Sequence, residues 1–123
     1  MKPLNILVID DERVICDACE MVLAEKGHSV VSRTDGQSGL DTIRKDKFDI
    51  VLLDMKLPDM DGMKILKTVQ NSDAMPRIIV MTGYSSISNA VEAIKKGADN
   101  YLAKPFTDDE LLDAIEKACG SSC

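Results

Sequence analysis

Along this chain, short runs of consecutive apolar residues alternate with longer stretches in which apolar positions recur every three or four residues. The short runs are LNILVI (Leu4 to Ile9), HSVVS (His28 to Ser32), FDIVLL (Phe48 to Leu53), RIIVMT (Arg77 to Thr82) and NYLA (Asn100 to Ala103). Their β-branched content and bounding turn residues predict strands. The first, third and fourth are nearly continuous in apolar residues, as parallel strands buried on both faces are. In the intervening stretches Ile15, Ala18, Cys19 and Val22 share one helical face. So do Leu40 with Ile43, Ile65 with Leu66 and Val69, Val91 with Ile94, and Leu111 with Leu112 and Ile115. Gly27 and Gly97 stand where the first and fourth helices would be capped. Thr107, with Glu110 three residues on, forms a capping box for the fifth.

Five βα units without repeat, linker or low-complexity segment predict an α/β fold, one domain over residues 1–123. Because βα crossovers are right-handed, the chain should wind into one five-stranded parallel sheet with five helices distributed over both faces. In such sheets the ligand site lies beyond the carboxyl ends of the strands. Asp10 and Asp11 follow strand one, Asp54 follows strand three, Thr82 and Gly83 end strand four, and Lys104 and Pro105 follow strand five. Each alone reads as a cap, a turn residue or a surface lysine. Together they converge on one edge of one sheet.

The run Asp10, Asp11, Glu12 sharpens the point, because like charges about 4 Å apart repel by roughly 4 kcal/mol at an effective dielectric near 20. Such a cluster predicts a cation. Asp10, Asp11 and Asp54 make a hard oxygen site suited to Mg²⁺, which prefers one or two carboxylates plus a phosphate. A lysine and a hydroxyl opposite them would hold the remaining oxygens of a phosphoryl group. One of the carboxylates could then act as nucleophile and form an acyl phosphate. Glu12 reads as a first-turn helix acid.

Composition trims the alternatives. With 45% apolar and 29% charged residues the chain is an ordinary soluble globular protein, and no apolar run approaches a membrane span. No export signal is visible at its start, so a cytoplasmic location is expected. A net charge of −6 and the lack of a basic stripe argue against nucleic-acid binding by this domain.

The motifs ILVIDDE, LLDMKLPDMDG, VMTGYSS and NYLAKPF, in this order over essentially the whole chain, closely resemble the receiver domain of two-component response regulators. The resemblance implies the flavodoxin-like strand order 2-1-3-4-5 of the chemotaxis regulator. It implies Asp54 as the phosphoryl acceptor, with Mg²⁺ held by Asp10, Asp11, Asp54 and the main-chain carbonyl of Lys56. Thr82 and Lys104 would hold phosphoryl oxygens, Lys104 to Pro105 would be a cis peptide, and Tyr101 would be the switch aromatic. Lys56 and Tyr84 would flank the water that hydrolyses the acyl phosphate. The implied partner is a sensor histidine kinase or phosphotransfer protein. The implied response is a change in the surface of helix four, strand five and helix five, through which a homodimer could also form. MTGYSSISNAVEAIKKGADNYLAKPF is similar to receivers that precede ATPase and DNA-binding domains in transcription activators, so the output is expected to be transcriptional. On this reading the domain is a phosphoacceptor, not an enzyme acting on other substrates.

Two other classes fit less well. A Mg²⁺-dependent aspartate-nucleophile phosphatase would carry its nucleophile, and a second acid two residues later, after strand one, where this chain has Asp10 and Glu12. A flavin or nucleotide module would need a Gly-rich or hydroxyl-rich phosphate loop there, and IDDERV is neither. Cys16 with Cys19 and Cys119 with Cys123 superficially match zinc spacing. Buried, reduced core cysteines are the simpler reading. His28, the single histidine, reads as structural.

Overall fold

The computed structural model describes residues 2–71, 76–83 and 87–119. Strands β1 (Asn5–Ile9), β2 (Ser29–Arg33), β3 (Ile50–Asp54), β4 (Arg77–Gly83) and β5 (Asn100–Lys104) form one parallel sheet in the order β2-β1-β3-β4-β5. They alternate with α1 (Arg13–Glu25), α2 (Gly36–Lys45), α3 (Gly62–Gln70), α4 (Ile87–Lys95) and α5 (Asp108–Cys119). β3 is buried at every position, and β1 at all but its first residue. Alternate side chains of these strands feed two separate cores. Ile6, Val8, Leu52 and Met81 pack with α1 and α5 on one face, and Leu7, Ile9, Leu53 and Val80 pack against α2 and α3 on the other.

Local chemistry explains where the helices stop. Gly27 and Gly97 have φ of 89° and 109°, the left-handed conformation in which glycine carries no Cβ penalty. The amides of His28 and Ala98 reach back to the carbonyls of Leu23 and Ala93, closing the helix ends. At α5, Thr107 Oγ1 accepts from the Glu110 amide (3.1 Å) while Glu110 Oε1 accepts from the Thr107 amide (2.9 Å). This reciprocal pair is the capping box read from the sequence.

Two helical faces differ from expectation. In α1 the buried positions are Cys16, Cys19, Val22 and Leu23, and Ala18 is exposed. In α4 the sheet is met by Ala90 and Ala93, fully buried, while Val91 and Ile94 are 49% and 38% exposed. Small side chains let a helix lie closer to the sheet, and the larger pair is thereby turned outward. Among the described residues no helix is long and apolar enough to cross a membrane.

Candidate functional site

β1 and β3 are adjacent and parallel, with Ile9 opposite Leu53. Asp10, one residue beyond β1, and Asp54, the last residue of β3, therefore arrive side by side at the same edge. β4 lies next to β3 and ends in Thr82 and Gly83, and β5 lies outside it with Lys104 opposite Gly83. The edge thus gathers Asp10, Asp54 and Thr82, all buried, around the half-buried Lys104. The Lys104 to Pro105 peptide that follows is cis.

One ammonium group organises these charges. Lys104 Nζ lies 2.6 Å from Asp10 Oδ2, 3.4 Å from Asp54 Oδ2 and 3.3 Å from Glu12 Oε1. The other oxygen of each buried aspartate is tied to the backbone two residues on. Asp10 Oδ1 accepts from the Glu12 amide (2.9 Å) and Asp54 Oδ1 from the Lys56 amide (3.0 Å). Burial pushes the Asp54 carboxyl up to about 6, more than the Lys56 N–H and the Lys104 charge lower it. For Lys104 the balance is reversed. Burial lowers its pKa, but the surrounding carboxylates of Asp10, Asp54 and Glu12 outweigh it and leave the group above the usual lysine value.

Asp10 Oδ2 is fully buried and, despite the nearby ammonium, has no hydrogen bond of acceptable geometry. Its charge is matched and its hydrogen-bonding capacity is not. Asp10, exposed Asp11 and exposed Glu12 bring ligand oxygens within 4.8 Å of one another. The under-satisfied buried oxygen of Asp10 beside the hard carboxylate of Asp11 fits Mg²⁺ and offers nothing to a soft metal, while the Glu12 carboxylate is taken up by Lys104.

The loop after Asp54 is fastened at several points. The Gly62 amide donates to the Met55 carbonyl (3.2 Å), and the backbones of Lys56 and Asp61 pair in an antiparallel bridge. Asp59 accepts from the amides of Gly36 (2.8 Å) and Gln37 (3.0 Å), covering the start of α2. These N–H groups, that of Gly36 first, hold the Asp59 carboxyl below the usual carboxylate range. LPDMDG carries no hint of that partner, because it lies 23 residues upstream and only the tertiary fold supplies it.

Glu12 is the clearest departure from the sequence reading. It occupies the N-cap of α1 rather than its first turn, which contains no acid, and its side chain makes no capping hydrogen bond. It turns to Lys104 instead. Thr82 Oγ1 donates to the Gly83 carbonyl (3.3 Å). Tyr101 lies on β5 with its side chain 44% exposed, and Tyr84 falls outside the described residues.

Among the described residues the cysteines belong to the core. Cys16, Cys19 and Cys119 are buried free thiols. Cys16 Sγ donates to the Asp10 carbonyl (3.3 Å), and burial pushes the Cys19 thiol up to about 12, keeping it protonated. Cys123 falls outside the described residues. His28 Nδ1 accepts from the Leu4 amide (3.0 Å), a structural bond at the opposite end of the sheet from the carboxylates.

This arrangement has close relatives. The chain is 37% identical over 115 residues to the transcriptional regulatory protein ZraR of Escherichia coli, covering 94% of this chain and 26% of ZraR. It is 38% identical over 113 residues to sporulation initiation phosphotransferase F of Bacillus subtilis, covering 92% of this chain and 91% of that protein. Among solved structures, NtrX of Brucella abortus superposes with a TM-score of 0.92 at 31% identity, covering 98% of this chain and 28% of NtrX. The chain thus spans about a quarter of the length of ZraR and of NtrX, and nearly all of the phosphotransferase. Residues 6–116 match the family described as the response regulator receiver domain, and the chain belongs to that family.

Proposed function

We propose that the domain, residues 1–123, accepts a phosphoryl group on Asp54 from the phosphohistidine of a sensor kinase or phosphotransfer protein. The observation that carries this reading is the single ammonium of Lys104 set between the buried carboxylates of Asp10 and Asp54 at the carboxyl edge of the sheet. A carboxylate oxygen of Asp54 attacks phosphorus, the new P–O bond forms as the P–N bond to the donor imidazole breaks, and the imidazole leaves with the electron pair. Lys104 and Thr82 hold oxygens of the transferred group, which adds close to two negative charges at neutral pH. Asp10, Asp11, Asp54 and the Lys56 carbonyl would hold Mg²⁺, which when bound offsets the charge of the phosphoryl oxygens. Hydrolysis by water at phosphorus breaks the same P–O bond, restores the carboxylate and releases inorganic phosphate.

The added charge draws Thr82, and Tyr101 moves inward, shifting an equilibrium between two forms of the α4, β5 and α5 surface. Val91, Ile94 and Tyr101 are exposed on these elements, an apolar set available to an output partner. ZraR is a transcriptional regulatory protein, which supports a transcriptional output. An aspartate-nucleophile phosphatase is disfavoured by the placement of Asp54 at the end of the third strand rather than the first. A small acyl phosphate with Mg²⁺ should add one phosphoryl mass to the wild type and none to Asp54→Asn. Equal mass gain in both would overturn the assignment.

A further inference from the structure

Lys104 is surrounded by three carboxylates: it hydrogen-bonds Glu12 and Asp54 and lies at ion-pair distance from Asp10. An incoming phosphoryl oxygen competes with them for the ammonium, and one of them must yield. Asp10 is not that one. It is buried, its own amide is tied to the Arg33 carbonyl (3.1 Å), and its Oδ1 is taken by the Glu12 amide. Asp54 is not that one either: its Oδ1 is held by the Lys56 amide, and its Oδ2 leaves Lys104 only as it bonds to phosphorus, too late to clear the ammonium for an incoming phosphoryl group. Glu12 differs from both. Its side chain is 60% exposed, it does no capping work, and its carboxylate reaches across 92 residues of sequence to Lys104.

We infer that Glu12 is a positioning residue: its carboxylate occupies, in the resting state, the place on Lys104 that a phosphoryl oxygen takes, and its release limits how fast the site accepts phosphate. The inference rests on the proposed transfer to Asp54. Glu12 is the exchangeable partner because its departure leaves no buried charge unmatched. An exposed ion pair is weak, so the effect is bounded at about fivefold in rate. The arrangement slows spontaneous phosphorylation by small anionic donors, and a docked protein donor that displaces Glu12 bypasses it.

Glu12→Ala removes the contact, and Glu12→Asp keeps the charge but is one methylene too short to keep it. Both should take up phosphate from a small acyl phosphate with Mg²⁺ about two- to fivefold faster than wild type, followed by intact mass. Mg²⁺ affinity measured by calorimetry without donor should be unchanged, as should the thermal midpoint. Wild-type rates in both variants would overturn the inference. A faster Glu12→Ala with Glu12→Asp at the wild-type rate would also overturn it, since charge at the site mouth would then suffice. So would a severalfold loss of Mg²⁺ affinity, which would make Glu12 a ligand. If the wild type itself gains no phosphoryl mass, the transfer reading fails. If the wild type gains it and the variants do not differ, only the role of Glu12 fails.

Discussion

Asp54→Asn should make the metal-free protein more stable at and above neutral pH, with the gain disappearing in acid. The wild-type carboxylate is buried at the end of β3, and burial is the largest influence on it, raising its pKa from 3.8 to about 6. The Lys56 N–H and Lys104 favour its charge without overturning that effect. An acid whose pKa rises on folding opposes folding when ionised. The penalty is complete above about pH 6, shrinks as the folded state takes up the proton, and is gone below 3.8. At about 1.4 kcal/mol per pH unit, the interval corresponds to about 3 kcal/mol. Asparagine has nearly the same shape and keeps an acceptor oxygen for the Lys56 amide, while Lys104 retains Asp10 and Glu12. For a chain of this length the gain is roughly 10 °C in thermal midpoint. Wild type and Asp54→Asn would be unfolded by heat and by urea in chelator across the range from acid to slightly alkaline. Equal midpoints above neutral pH, or a difference that fails to narrow toward pH 4, would refute the idea that desolvation of Asp54 dominates this site.

Gly62→Ala should destabilise by about 1–3 kcal/mol in urea titration, because its Cβ would stand 2.6 Å from the Met55 Cα, backbone that cannot rotate away. Phosphorylation, or a phosphoryl mimic, should promote a dimer through α4, β5 and α5 that light scattering detects and salt weakens. The basis is charge complementarity between Lys95 and the exposed Asp108 and Asp109, since Lys96 already pairs with Glu92 and Asp113 with Lys117. A strict monomer at high concentration would reject it. If Tyr84 and Lys56 flank the water's approach as the family resemblance implies, Tyr84→Ala and Lys56→Asn should each release phosphate severalfold faster than wild type, since bulk slows in-line attack. Unchanged release in both would sink the shielding idea and leave Asp54 untouched as acceptor.

Much of the architecture is legible in one sequence because burial on both sheet faces leaves a simple trace. ILVI and IVLL have no polar alternate position, and a strand of that kind belongs in the middle of a parallel sheet. The same logic brought Asp10, Asp54, Thr82 and Lys104 to one edge, since each stands at the carboxyl end of its strand and parallel strands bring those ends together. Periodicity was less decisive for the helices. In α4 the Ala90 and Ala93 stripe and the Val91 and Ile94 stripe both repeat at helical spacing, and only packing against β4 and β5 chose the alanines. In α1 the same ambiguity turned the buried face from Ala18 toward Cys16 and Leu23.

What tertiary structure alone decided are the long-range polar partnerships. Glu12 at the start of α1 looks like any acid serving a helix dipole until β5 brings Lys104 within 3.3 Å of it. Asp59 looks like a loop acid until the Gly36 and Gln37 amides close on it. Local pattern reports burial because the hydrophobic effect acts on each side chain through its own surroundings, averaged over many contacts. A hydrogen bond or ion pair depends on the position of one particular atom within a few tenths of an ångström, and for residues far apart in the chain that position exists only once the sheet has formed.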